Sequence, residues 1–317
     1  MSHSPEDTRK GLWLGLLGVA IFAVTLPMTR LATGTTDAPQ LSPWFVTFGR
    51  ATLAGALSIA FLLLTRSRWP AGHERLPLAL ATLGNAIGFP LFLGFALRQV
   101  TSGHAAVVLA LLPLATAAMA AWVMHQRAKL GFWVSAGVGA LLVAGFSIFR
   151  AQQIHGSGSL GLEWADLLLV GAVLCASLGY VYGAKVTPSL GAERVICWVC
   201  VFGLPITLPG ALLTWPDQPV NTSAWLALGY VGVFSMWAGF FAWFRGLALG
   251  GAMKVSQVQL MQPFFSILAA VPLLGESLNM VTVGFALAVG TTVFVGKRYA
   301  TTPAVPQSPQ PSTKGAA

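Results

Sequence analysis

The sequence predicts an all-α polytopic membrane protein whose ten transmembrane helices form two inverted five-helix repeats. Three observations carry this prediction. Hydrophobic residues make up 56% of the chain and charged residues 9%, with a mean hydropathy of +0.74, far from the balance of a soluble domain. Apolar runs of about 20 residues, long enough for a helix to cross the hydrocarbon core, recur along nearly the whole chain. One pattern also occurs twice: HAAVVLALLPLATAAMAAWVMHQ, from His104 to Gln126, is answered by KVSQVQLMQPFFSILAAVPLLGE, from Lys254 to Glu276. In that register Pro113 stands opposite Pro263, Val108 opposite Val258, Ala120 opposite Ala270 and His104 opposite Lys254.

The expected spans are 11–33, 42–64, 77–97, 102–124, 131–149, 165–186, 193–214, 223–245, 251–274 and 279–297, each bounded by a short polar or Pro/Gly-bearing loop. The first follows a polar segment ending in Arg9-Lys10 and is too long for a signal-peptide core, so it reads as a retained span. Gly11, Gly15 and Gly18 line one face of it, as Ala136, Ala140 and Ala144 do in the fifth and Gly284 and Ala288 in the tenth, which lets helices approach closely. The second span holds Arg50, the third Asn85, and the fourth starts near His104. Cys175 in the sixth and Cys197 and Cys200 in the seventh lie in apolar surroundings, where packing is the expected role and neither a disulfide framework nor a metal site is. The eighth carries Phe234, Trp237, Phe241 and Phe244 at helical spacing, beside Phe240 and Trp243.

This divides the chain into an N-terminal tail (1–10), a first repeat (11–150), a linker (151–164), a second repeat (165–298) and a Pro-, Ser- and Thr-rich tail (299–317) expected to be disordered. Lys and Arg concentrate at one set of span ends, leaving Arg30, Arg98 and Arg150 on the other side. By the positive-inside rule both termini are then cytoplasmic, which requires an even number of spans. Five spans per half make the second repeat enter the membrane from the opposite side, as in many secondary transporters. The net charge of +9 reports this topology; the scattered cations form no nucleic-acid-binding stripe.

A charge deep in a span is expensive unless it faces a partner or a wet cavity, which singles out Arg50, about eight residues inside the second span. Two readings stand at this point, a substrate contact and an arginine that locks the bundle through backbone carbonyls. Lys254 and Gln257 share a face one turn apart, with Gln262 deeper beside Pro263. Proline frees a carbonyl one turn earlier, so this stretch predicts a polar pocket. Asn85 needs a partner at mid-membrane, either a neighbouring helix or a solute. Trp237 and its neighbours would wall a cavity or face lipid. His104 is a candidate proton site, or an ordinary interfacial histidine. All nine acidic residues fall in the N-terminal tail, in loops or near span ends, so no buried carboxylate is expected. Buried positive charge without a buried acid suits a solute bearing a carboxylate. The sequence has no catalytic motif, and neither a cofactor nor a metal is expected.

The segment GGAMKVSQVQLMQPFFSILAAVPLLGE at 250–276, its counterpart TSGHAAVVLALLPLATAAMAAW at 101–122, and Arg50 within FVTFGRATLAG resemble the ten-span EamA-type carriers of the drug/metabolite transporter superfamily. One departure is His125-Gln126, where the resemblance leads one to expect Gly-Glu. The resemblance implies a bacterial inner-membrane carrier that works by alternating access and often exports amino acids or other metabolites. The expected function is a secondary transporter, with Arg50, Asn85, Trp237, Lys254, Gln257 and Gln262 as solute contacts. Its expected partners are a small solute and the lipid bilayer; a second copy of the chain stays open, and nucleic acid is not expected. The alternatives are an exporter of lipophilic solutes and a non-transporting membrane scaffold.

Overall fold

The computed structural model describes residues 5–123, 129–155, 163–250 and 255–299. Among these, eight helices are long and apolar enough to cross a membrane: α1 (Glu6–Thr33), α2 (Pro43–Leu64), α3 (Gly72–Gln99), α4 (Ser102–Val123), α5 (Leu130–His155), α6 (Trp164–Leu190), α7 (Ala192–Leu213) and α8 (Thr222–Gly246). Two shorter apolar helices follow, α9 (Val258–Leu274) and α10 (Met280–Tyr299). The described residues contain no strand, only an isolated bridge between Gly34 and Pro39. Leu63, Leu64, Leu141, Leu212 and Leu213 stay exposed, as side chains facing lipid do.

Several boundaries differ from the hydropathy reading. The helix of α1 starts at Pro5, inside the expected tail, where Lys10 and Glu6 pair at 2.7 Å across one turn. α5 runs to His155, beyond the expected end of the first repeat. The described part of α9 opens with a tight 3-10 turn, Ser256–Met261, before Pro263 takes an early position in the α-helix. Lys254, residues 251–253, Gln126 and the tail 300–317 lie outside the described residues, as does the side chain of Gln257. Between α3 and α4 the chain extends at Val100, and the Thr101 side chain caps α4 by accepting from His104 N at 3.2 Å.

Helices of one half pack chiefly against helices of the other. α2 packs against α7, α1 against α8, α3 against α6, and α5 against α10. Exchanging each helix for the one five places along maps these pairs onto themselves, the pattern expected of two repeats. α3 and α8 share a further feature, a π-helical turn in mid-span, at Thr82–Gly88 and at Val231–Ala238. Such turns widen the helix, free backbone groups and recur at functional sites. The first packs on α6 and α7, the second on α2, so both face the bundle centre.

The expectation that no carboxylate is buried fails at helix starts. Glu74 is fully buried in the first turn of α3, where it accepts from Ala71 N at 2.7 Å and from both terminal nitrogens of Arg68 at 2.8 and 2.6 Å. Asp166, 3% exposed in the first turn of α6, accepts from Glu163 N at 3.1 Å and from Ser147 Oγ at 2.8 Å. Free N–H groups at a helix start stabilise a carboxylate. Burial then requires only that a neighbouring helix cover it.

Candidate functional site

Arg50 is brought to the bundle centre by α2, which starts cleanly because Ser42 accepts from Phe45 N at 3.0 Å and Pro43 fits the first turn. The guanidinium is 2% exposed. Its Nη2 donates to Ser235 Oγ at 3.1 Å, and Ser235 in turn meets Thr25 Oγ1 at 2.8 Å. Its Nε and Nη1 have no hydrogen-bond partner among the described residues. A structural lock would have spent these donors on carbonyls, since a buried unmade hydrogen bond from a charged group is costly.

Arg50 lines a void of about 40 Å³ together with Thr25, Asn85, Tyr180, Ser235, Gln262 and apolar neighbours. One water needs about 10–15 Å³ on this measure, so the void has room for a group the size of a carboxylate. Asn85, Tyr180 and Phe240 also line a larger cavity of about 530 Å³ that runs between α6, α7 and α8 to exposed Ala184 and Pro188. Gln259 and Thr116 add polar groups to it, while Phe240, Trp243 and Phe244 supply an aromatic wall. The exposed cations Lys185, Arg194 and Arg245 adjoin the lining residues Ala184, Val195 and Phe244 in sequence. A positive mouth of this kind raises the local concentration of anions.

Asn85 sits in the first π-helical turn, and a Cβ on Gly179 would collide with its amide. Only glycine leaves space for this side chain against α6. Asn85 makes no hydrogen bond among the described residues and borders both voids. Ser235 occupies the equivalent place in the second π-helical turn, so the two turns present their polar residues to one site.

Of the residues singled out by sequence, the structure gathers Arg50, Asn85 and Gln262 around one void. Lys254 and the Gln257 side chain lie outside the described residues. Trp237 lines neither void; its ring packs against Phe61 at 6.4 Å and Phe241 at 4.7 Å between α2 and α8. Of the aromatics expected to wall a cavity, Phe240, Trp243 and Phe244 line the larger one. His104 is not a lone interfacial residue. Its Nε2 lies 2.7 Å from Asp166 Oδ1, its ring lies 5.0 Å from that of Phe146, and it is 4% exposed, away from the Arg50 void.

The sequence reading passed over Thr25, Tyr180 and Ser235 as site residues. Adding the register offset of 150, set by Pro113 and Pro263, to Asn85 gives Ser235, and adding it to Arg30 gives Tyr180. That offset was available as a signal for Ser235, the counterpart of a residue already singled out.

The EamA-like transporter family model matches residues 9–148 and again 163–296, one copy in each half. The chain belongs to the EamA-like transporter family. It is a multi-pass membrane transporter and not an enzyme. A Bacillus subtilis (strain 168) protein described as "Uncharacterized transporter YdeK" is 40% identical over 297 residues, covering 93% of this chain and 99% of that protein. The Arabidopsis thaliana "WAT1-related protein At3g02690, chloroplastic" is 23% identical over 237 residues, covering 72% of this chain and 56% of that protein. A solved crystal structure aligns over 92% of this chain and 98% of its own with a TM-score of 0.58 and 21% identity, a likeness of fold. Membership in this family sets the scaffold alternative aside.

Proposed function

We propose that this EamA-family transporter is a secondary carrier that exports a small organic solute bearing a carboxylate, a metabolite or an amino acid, across a bacterial inner membrane with both termini in the cytoplasm. The two five-helix halves rock about the Arg50 void and expose it to one side at a time. In the described state the cavity opens at the ends of α6 and α7, near Lys185 and Arg194, which the positive-inside rule assigns to the cytoplasm.

The observation that carries this reading is Arg50, buried to 2% exposure, with Nε and Nη1 unpartnered among the described residues, lining a void that shares Asn85, Tyr180 and Phe240 with the larger cavity. A carboxylate entering there gains charge-assisted hydrogen bonds and relieves an uncompensated buried charge. Asn85, Gln259 and Gln262 would bind the neutral polar groups of the solute, and Phe240, Trp243 and Phe244 its apolar part. The His104–Asp166 pair is our candidate for a proton site, since both groups exchange protons and are held apart from the solute void.

The apolar lining of the larger cavity favours a second reading, an exporter of lipophilic solutes that ignores Arg50. The discriminating experiment is flux into proteoliposomes with a panel of labelled amino acids, organic acids and lipophilic dyes, wild type beside Arg50→Gln. Carboxylate flux lost in the variant is expected. Dye flux equal in both proteins would overturn the carboxylate reading in favour of the second.

A further inference from the structure

At the end of the bundle away from the cavity mouth, one carboxylate ties three segments together. Gly275 ends α9 in the left-handed conformation at φ +67°, which turns the chain back and directs Glu276 across the bundle. Its Oε1 accepts from Ser102 N at 2.9 Å and its Oε2 from Gly103 N at 3.2 Å, so it covers the first N–H groups of α4. Arg30 Nε of α1 lies 3.6 Å from Oε1, and Arg30 Nη1 donates to Val100 O at the α3–α4 junction. The helix start and the guanidinium both favour a negative charge here. The two side chains are only 14% and 17% exposed, which limits screening by water.

This cluster stands between the solute void and that face of the protein. Leu26, Ala106, Leu109 and Gln262 line a void of about 20 Å³ one turn below it on α4, and Leu26, Leu109 and Gln262 also line the Arg50 void. The register that aligns Pro113 with Pro263 places Gln126 opposite Glu276. A glutamine has no full charge to offer a helix start or an arginine.

We propose that Glu276 and Arg30 are the positioning residues that lock the face opposite the cavity and so make the cavity-open state the resting state of the carrier. The lock sets where the solute loads and does not touch it. The proposal rests on the alternating-access reading above, and the experiment separates the two.

Single cysteines are introduced at Ala106, below the lock, and at Val195, in the large cavity, in a chain whose Cys175, Cys197 and Cys200 are replaced by alanine. Labelling by a membrane-impermeant maleimide is then followed in vesicles of each orientation. Glu276→Gln removes charge-assisted bonds, so labelling of the Ala106 site from the Glu276 face should rise by about tenfold or more, while labelling of the Val195 site from the other face falls. Glu276→Asp should keep the wild-type pattern, and Arg30→Gln should shift it less, in the same direction. A purely structural role would lower stability without moving accessibility from one face to the other. Unchanged labelling of the Ala106 site in folded Glu276→Gln and Arg30→Gln would overturn the lock, and Arg30→Gln alone decides the matter if the first variant does not fold. A rise at Ala106 without a fall at Val195 would keep the lock and overturn alternating access.

Discussion

Arg98, half-buried in the last turn of α3, and Arg50, buried in the middle of α2, both carry a guanidinium on an apolar helix, and they differ in what their donors meet. Arg98 spends its donors on the protein: Nε reaches Thr33 O and Nη2 reaches Leu41 O, each at 3.2 Å, pinning the turn between α1 and α2 against the end of α3. The same turn is closed by Gln40 N to Thr33 O and Leu41 N to Ala32 O, both at 3.0 Å. Arg50 makes one hydrogen bond to a hydroxyl, leaves Nε and Nη1 without a partner among the described residues, and lines a void. In a membrane protein an arginine whose donors are satisfied by carbonyls is a fastener; one left unsatisfied beside an accessible void is a place for an anion to bind.

Substitutions at the two arginines should therefore separate function from stability. The largest effect is expected at Arg50→Gln, where carboxylate flux should fall by about a hundredfold or more, from the loss of two charge-assisted hydrogen bonds. Its thermal midpoint should hold or rise, because an uncompensated buried charge has been removed. A midpoint that collapses along with flux would make Arg50 a fastener like Arg98. Next comes Gly179→Val, which should reduce flux by about tenfold by displacing the Asn85 amide, with Asn85→Ala showing a similar loss in the same assay. Arg98→Gln should act the other way, lowering stability by on the order of 2 kcal/mol in thermal unfolding while flux per folded molecule is kept. The smallest effect is expected at Trp237→Phe, since the ring packs outside both voids; flux and solute preference should match wild type, whereas Phe240→Ala should change the preference between aromatic and aliphatic solutes.

The apolar helices and their order were legible because hydrocarbon leaves a polypeptide one local solution, an apolar helix of the right length. The tie between Asn85 and Ser235 was legible in principle, because an internal repeat reproduces positions at a constant offset. The buried carboxylates were not. Asp166 and Glu74 stand at span ends, where sequence reading expects water, and whether water reaches them depends on Ser147, His104 and Arg68 folding over them. Which of the aromatics of α8 meet the larger cavity was not legible for a related reason: α8 carries aromatics around much of its circumference, and periodicity does not say which of them line it.

Composition, hydropathy and the repeated proline segment specify a ten-helix carrier, because these properties follow from the chain's contact with lipid and from its duplication. Whether the donors of Arg50 would be satisfied by carbonyls, whether His104 would stand alone or pair with Asp166, and which helix start Glu276 would cover were settled by packing. Each depends on which donors and acceptors distant segments bring within about 3 Å of one another, and no local pattern along the chain encodes that distance.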